Sequence, residues 1–134
     1  MEPGDTSEIY ETALTRCWWG DDGILYSVSK PAERNIENYQ ELFVLYAKLS
    51  DNGNRKFSVL GDVTKTRPLS RKVREFVAQE SAKYIKAMAL VSDSTIGTAT
   101  SNLYQILSRT PYQIGTFRNH EDAIKWLREN DKLG

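Results

Sequence analysis

Cysteine is nearly absent from this chain: Cys17 is the only one among 134 residues, so no intramolecular disulfide can form. Histidine is as scarce, and His120 with Cys17 makes no cluster at metal-ligand spacing. Structural zinc is excluded on that ground, and no metal or other cofactor is expected. Long apolar runs are missing too. None approaches the roughly 20 residues that cross a bilayer, and the acidic start Met1-Glu2-Pro3-Gly4-Asp5 does not resemble a signal peptide. The expectation is a soluble, cytoplasmic chain without membrane insertion. The sequence also has no Gly-rich phosphate loop and no Gly-x-Ser-x-Gly elbow. Enzymatic activity has no positive sign, and no catalytic residue is assigned.

Net charge is zero, with 18 basic and 18 acidic residues, but the charge is unevenly placed. Residues 1–53 hold ten Asp or Glu against four Lys or Arg, whereas residues 54–88 hold nine Lys or Arg against three acids. An acidic and a basic face would favour self-association or a charged partner. Solvated helix and loop positions explain the same counts more simply. The length suits one domain that can bury a core unaided. Residues 1–8 are expected to form a flexible N-terminus and residues 9–134 a single domain.

Two strand-like runs open the chain, Ile9 to Trp19 and Ile24 to Val28, around the turn Gly20-Asp21-Asp22-Gly23. They predict an antiparallel hairpin. The period then changes: Ile36, Tyr39, Leu42, Phe43, Tyr46 and Leu49 share one helical stripe, with Asn35 as its cap and Asp51 to Asn54 as its end. Lys56 to Leu60 reads as a strand. Ser70 caps a helix with Val73, Phe76 and Val77 on its inner face. Ile85 to Ser92, broken only by Lys86, reads as a central strand covered on both faces. A helix over Thr95 to Arg109, stopped by Pro111, a strand over Tyr112 to Phe117 and a last helix from Asn119 complete the series. Strands alternating with helices pair in parallel through right-handed crossovers. The fold class is α/β, an open, mixed and mainly parallel sheet with an N-terminal antiparallel hairpin and flanking helices.

The run Lys86 to Ser94, the segment Pro111-Tyr112-Gln113-Ile114-Gly115-Thr116-Phe117, the ending Glu121 to Leu127, and the early Gly23-Ile24-Leu25 and Val59-Leu60-Gly61-Asp62 together resemble an uncharacterised bacterial family of STAS/SpoIIAA-like domains. The resemblance spans nearly the whole chain from about Ile9. It implies a SpoIIAA-like fold, shared with STAS modules that antagonise anti-sigma factors and with lipid-binding CRAL-TRIO domains. In signalling STAS proteins a Ser or Thr at a helix start after a core strand is phosphorylated. The matching region here is Gly61 to Arg71, with Ser70 at the helix start and Thr64 and Thr66 before it. The family pattern there is of the Asp-Ser-Ser-Gly type, and this chain departs from it with Pro68-Leu69-Ser70-Arg71.

Open α/β sheets take ligands beyond the carboxyl ends of their strands, where helix N-termini present free N–H groups. Asp62, Thr64 and Lys65 in one loop and Ser92, Asp93 and Ser94 in another are therefore candidate anion-binding or partner-binding positions. Capping is the favoured explanation for Ser94 or Thr95. Ser70 is the candidate phosphorylation site. Arg67, Arg71, Lys72 and Arg74 form a candidate docking cluster, its positive charge at a helix N-terminus opposing the dipole. Nucleic acid is disfavoured as a partner by the near-neutral pI and the lack of stacking aromatics in this cluster. Asp21-Asp22 with Asp62 is not a phospho-acceptor site, for Phe117-Arg118 lacks the required lysine. His120 is read as a surface residue and Cys17 as a buried thiol. Trp18, Trp19 and Tyr26 are read first as core residues; left uncovered, they could form a hairpin patch that supports a homodimer or holds an apolar ligand.

Two functions follow as expectations. The first is a non-enzymatic STAS-like module acting through an unidentified protein partner or by dimerisation. The second is a carrier of a small apolar or anionic ligand, as the CRAL-TRIO relationship implies. An enclosed cavity of some hundreds of Å³ near Tyr39, Phe43 and Tyr46 would mark the carrier. A filled core with an exposed apolar or charged patch would mark the interaction module.

Overall fold

The computed structural model describes residues 3–4, 7–92 and 110–133. Its described strands are β1 (Tyr10–Glu11), β2 (Thr15–Trp19), β3 (Leu25–Ser29), β4 (Phe57–Asp62), β5 (Ile85–Val91) and β6 (Gln113–Phe117). The described helices are α1 (Ile36–Leu49), α2 (Arg71–Ser81) and α3 (His120–Leu133). The helix expected over Thr95 to Arg109 lies outside the described residues.

The run from Ile9 to Trp19 is two strands, not the single one expected. Thr12 is the cause: its hydroxyl accepts from the Leu14 and Thr15 N–H groups, each at 3.2 Å, and its own N–H donates to the Thr15 carbonyl at 2.9 Å. A threonine hydroxyl offering its neighbours a turn competes with the extended ladder. The short β1 consequently folds back antiparallel on β2. The next reversal is as expected. Gly20 donates to Ile24 O at 2.9 Å, and Gly23 holds a φ of +79°, where a side chain would be strained.

Helix α1 begins where Asn35 Oδ1 accepts from Asn38 N at 2.8 Å, α2 where Ser70 Oγ accepts from Val73 N at 3.3 Å, and α3 where Asn119 Oδ1 accepts from Asp122 N at 2.9 Å. Each oxygen satisfies an N–H that the first helical turn leaves free. Helix α1 ends in three consecutive left-handed residues, Asp51, Asn52 and Gly53.

Strand order in the sheet follows the sequence, β1-β2-β3-β4-β5-β6, antiparallel through β3 and parallel from β3 onward. Neighbouring parallel strands joined by crossovers of one hand carry their connecting helices on one face. Accordingly α1 and α2 pack over Cys17, Leu25, Phe57, Val59 and Ile85. Helix α3 follows the last strand instead and covers the opposite face with Ala123 and Leu127 on Leu60, Ala87, Ala89 and Val91. Strand β5 thus has protein on both sides, as its apolar run implied. Its register with β4 passes from Phe57–Ile85 to Ser58–Ala87 and skips Lys86, which is exposed. That bulge lets one charged residue sit in a core strand without turning an apolar neighbour outward.

Candidate functional site

The carboxyl ends of the parallel strands form one edge of the molecule. Val28, Asp62 and Val91 lie side by side in register, Val63 N donates to Val91 O at 2.9 Å, and Ser92 N donates to Phe117 O at 3.3 Å. Asp62 and Ser92 therefore lie at the same edge, with Thr64 and Lys65 exposed beside them. Asp62 turns its carboxylate back on its own loop, where Oδ1 accepts from Thr64 N at 3.0 Å. Asp93 and Ser94 lie outside the described residues.

Ser70 is exposed, yet its hydroxyl is occupied as the cap of α2. The basic cluster beside it is partly engaged. Arg71 Nε lies 3.2 Å from Glu75 Oε1, and Arg74 Nη1 donates to Leu69 O at 2.8 Å, while Arg67 and Lys72 are exposed.

Trp18 and Trp19 do not make one patch. Adjacent residues of a strand point to opposite faces. Trp19 meets Phe57 edge to face on the α1 side, whereas Trp18, only 2% exposed, stacks on Tyr26 on the α3 side. Tyr26 donates its hydroxyl to Asp22 Oδ2 at 2.8 Å; burial first and this bond second push its phenol up to about 12. An open cleft of about 670 Å³ lies alongside, lined by Trp18, Asp22, Tyr26, His120, Ile124 and Arg128. Cys17 is fully buried, and burial pushes its thiol up to about 11 against a smaller opposing hydrogen bond with Thr15.

Between the sheet and α1 the packing leaves a cavity of about 110 Å³. Its walls are mostly apolar, with Leu42, Phe43, Tyr46, Val59, Ile85 and Met88 among them. At the carboxyl end of β3 the lining turns polar through Thr15, Ser27, Ser29, Thr66, Tyr39 and Arg34. Opposite, Ser81 Oγ and Tyr112 Oη share a hydrogen bond of 2.7 Å. Burial raises the phenols of Tyr39 and Tyr46 above their ordinary value, opposed in both cases by the positive charge of Arg34.

Arg34 is the candidate site residue that the linear reading missed. It sits in the loop before α1 and is only 8% exposed. Its Nη1 donates to Tyr39 Oη at 3.4 Å, and its Nη2 donates to Leu14 O at 3.4 Å and to Lys30 O at 3.3 Å. Its Nε is buried without a hydrogen-bond partner, and among the described residues no carboxylate lies within ion-pair reach. One signal in the sequence pointed here. The inward positions of β2 and β3 carry Thr15, Ser27 and Ser29, hydroxyls where a closed core would have apolar side chains.

A family model matches residues 18–131, from the end of β2 into α3. Its family is described as a domain of unknown function, DUF7793. The chain belongs to this family. No curated protein and no solved structure matches it. The DUF7793 match includes Arg34 and all of α1, but Thr15 lies just before it. Among the described residues of the DUF7793 chain, no group of three or more His, Cys, Asp or Glu could hold a metal, and no helix is long and apolar enough to cross a membrane.

Proposed function

We propose that this DUF7793 chain is a non-enzymatic, STAS-like binding module that holds a small, largely apolar molecule between its sheet and α1. The cavity of about 110 Å³ beside Tyr39, Phe43 and Tyr46 carries this reading. At about 110 Å³ it falls short of the enclosed cavity of some hundreds of Å³ expected of a carrier, and that limits the ligand to a compact molecule. Well-packed interiors leave few voids larger than a water. A space several waters in volume, walled by aromatic and aliphatic side chains, therefore suits an apolar guest. The resemblance to STAS/SpoIIAA-like domains and their CRAL-TRIO relatives supports a ligand on this fold.

Docking of a protein partner ranks second. Arg67 and Lys72 favour it, being exposed on one helix start, but Arg71 and Arg74 already have acceptors. Xenon, a small apolar probe, separates the two. Under xenon pressure the NMR signals of Leu42, Ile85 and Met88 should shift saturably, and filling the space with Ser27→Leu should abolish those shifts. Absence of any shift in the wild type would remove the ligand-binding reading.

A further inference from the structure

We infer that the ligand is a small monocarboxylate, its carboxylate facing Arg34 and its hydrocarbon part lying among Leu42, Phe43, Tyr46 and Met88. This rests on the ligand-binding reading above and adds the chemistry of the headgroup.

Arginine keeps its proton in any protein environment, and a buried positive charge is costly unless an anion and good hydrogen bonds offset it. The partners of Arg34 are two main-chain carbonyls and a phenol, all neutral. Their distances of 3.3 to 3.4 Å are long beside the roughly 2.7 to 2.9 Å of charge-assisted bonds to carboxylates. Nε has no partner at all. The guanidinium therefore lacks a compensating negative charge and keeps unused N–H donors, and Arg34 lines a cavity in which an anion could answer both.

The lining narrows the anion further. A single guanidinium matches one unit of charge, and the nearby Lys30 ammonium is directed elsewhere, to Thr12 O at 2.9 Å and Glu11 at 3.7 Å. A phosphate monoester, with nearly two charges at neutral pH, would be left partly uncompensated against an apolar wall. A carboxylate brings one charge and two acceptor oxygens in the plane that a guanidinium presents. Size sets the rest. An apolar cavity of about 150 Å³ takes benzene with its six non-hydrogen atoms, so 110 Å³ takes roughly four to five by proportion, carboxylate oxygens included. Propionate has the right charge and bulk.

The test is an NMR titration of the full chain at pH 7 and constant ionic strength with propionate, propionamide and 1-propanol. Propionate should shift the Leu42, Ile85 and Met88 methyl signals saturably, and at least tenfold more tightly than either neutral analogue. Arg34→Gln should erase that preference. Equal affinity for all three probes in the wild type would overturn the headgroup assignment while leaving the ligand-binding reading in place. The assignment also falls if Arg34→Gln keeps the preference for propionate. Failure of every probe to produce a saturable shift would overturn both. Should Arg34→Gln not fold, the comparison of propionate with propionamide on the wild type decides by itself.

Discussion

The Thr66 hydroxyl donates to Ser29 Oγ across 2.8 Å, tying the loop after β4 to the last residue of β3, 37 positions away in sequence. Both residues line the cavity, so this bond fixes part of its polar wall. Replacing Thr66 with Val keeps the shape and removes the donor. A hydrogen bond of this kind contributes about 1 kcal/mol net, and Thr66→Val should lower stability by that amount in urea unfolding. An unchanged midpoint would mean that solvent already satisfies Ser29.

Ser70 allows a test that separates capping from charge. Its hydroxyl accepts from Val73 N at 3.3 Å, so Ser70→Ala should cost about 1 kcal/mol of stability. Aspartate caps as well as serine and places negative charge at the helix N-terminus, near Arg71 and Lys72. Ser70→Asp should therefore be at least as stable as wild type. With folding preserved, any change in the proteins it captures reports the added charge. If Ser70→Ala is as stable as wild type, the cap is not a stabilising feature and Ser70 is free for another role.

The elements that were legible in the sequence are those fixed by local chemistry. The caps Asn35, Ser70 and Asn119, the turn at Gly20 to Gly23 and the helical stripe from Ile36 to Leu49 lie where propensity and period put them. The break at Thr12 was not legible, because a threonine that closes a turn looks the same in sequence as one that extends a strand. The grouping of Trp18 with Trp19 in one patch was a misreading that strand alternation alone could have prevented, since it sends neighbours to opposite faces. Arg34 shows where local reasoning stops. Its burial depends on Leu14 O, Lys30 O and Tyr39 Oη converging from three places, and a lone arginine in a loop otherwise reads as solvated.

Packing on the α3 face yields a third prediction. Leu127 is fully buried in the cluster that includes Ala87, Ala89 and Leu60. The small side chains of β5 let α3 sit close. Gly115 on β6 allows no more than itself, for an added Cβ would come within 2.8 Å of the Phe117 ring and 3.3 Å of Trp126. Leu127→Ala should cost about 2 to 5 kcal/mol, the range for a leucine lost from a core that cannot fully collapse. Exposed Lys125, two residues earlier on the same helix, should tolerate alanine within about 0.5 kcal/mol. Equal midpoints for the two variants in chemical denaturation would show that α3 is not docked as described.

Stability should also fall at alkaline pH, first through the buried Cys17 thiol and then through buried phenols. In the folded chain burial pushes the Cys17 thiol from 9.0 up to about 11, and the phenols of Tyr26 and Tyr112 from 10.0 up to about 12. Below about pH 9 both folded and unfolded chains keep these protons, so the full stability is present. Above it the unfolded chain releases the Cys17 proton while the folded chain holds it, which favours unfolding until the pH passes about 11. The two tyrosines add the same penalty between about pH 10 and 12. Urea midpoints measured from pH 7 upward should thus be level with respect to these groups, then decline from about pH 9. Cys17→Ala lowers the whole curve by removing a buried side chain, but it should also delay the decline to about pH 10, where the tyrosines begin. A variant curve parallel to wild type between pH 9 and 10 would show that the Cys17 thiol is not held protonated by the fold.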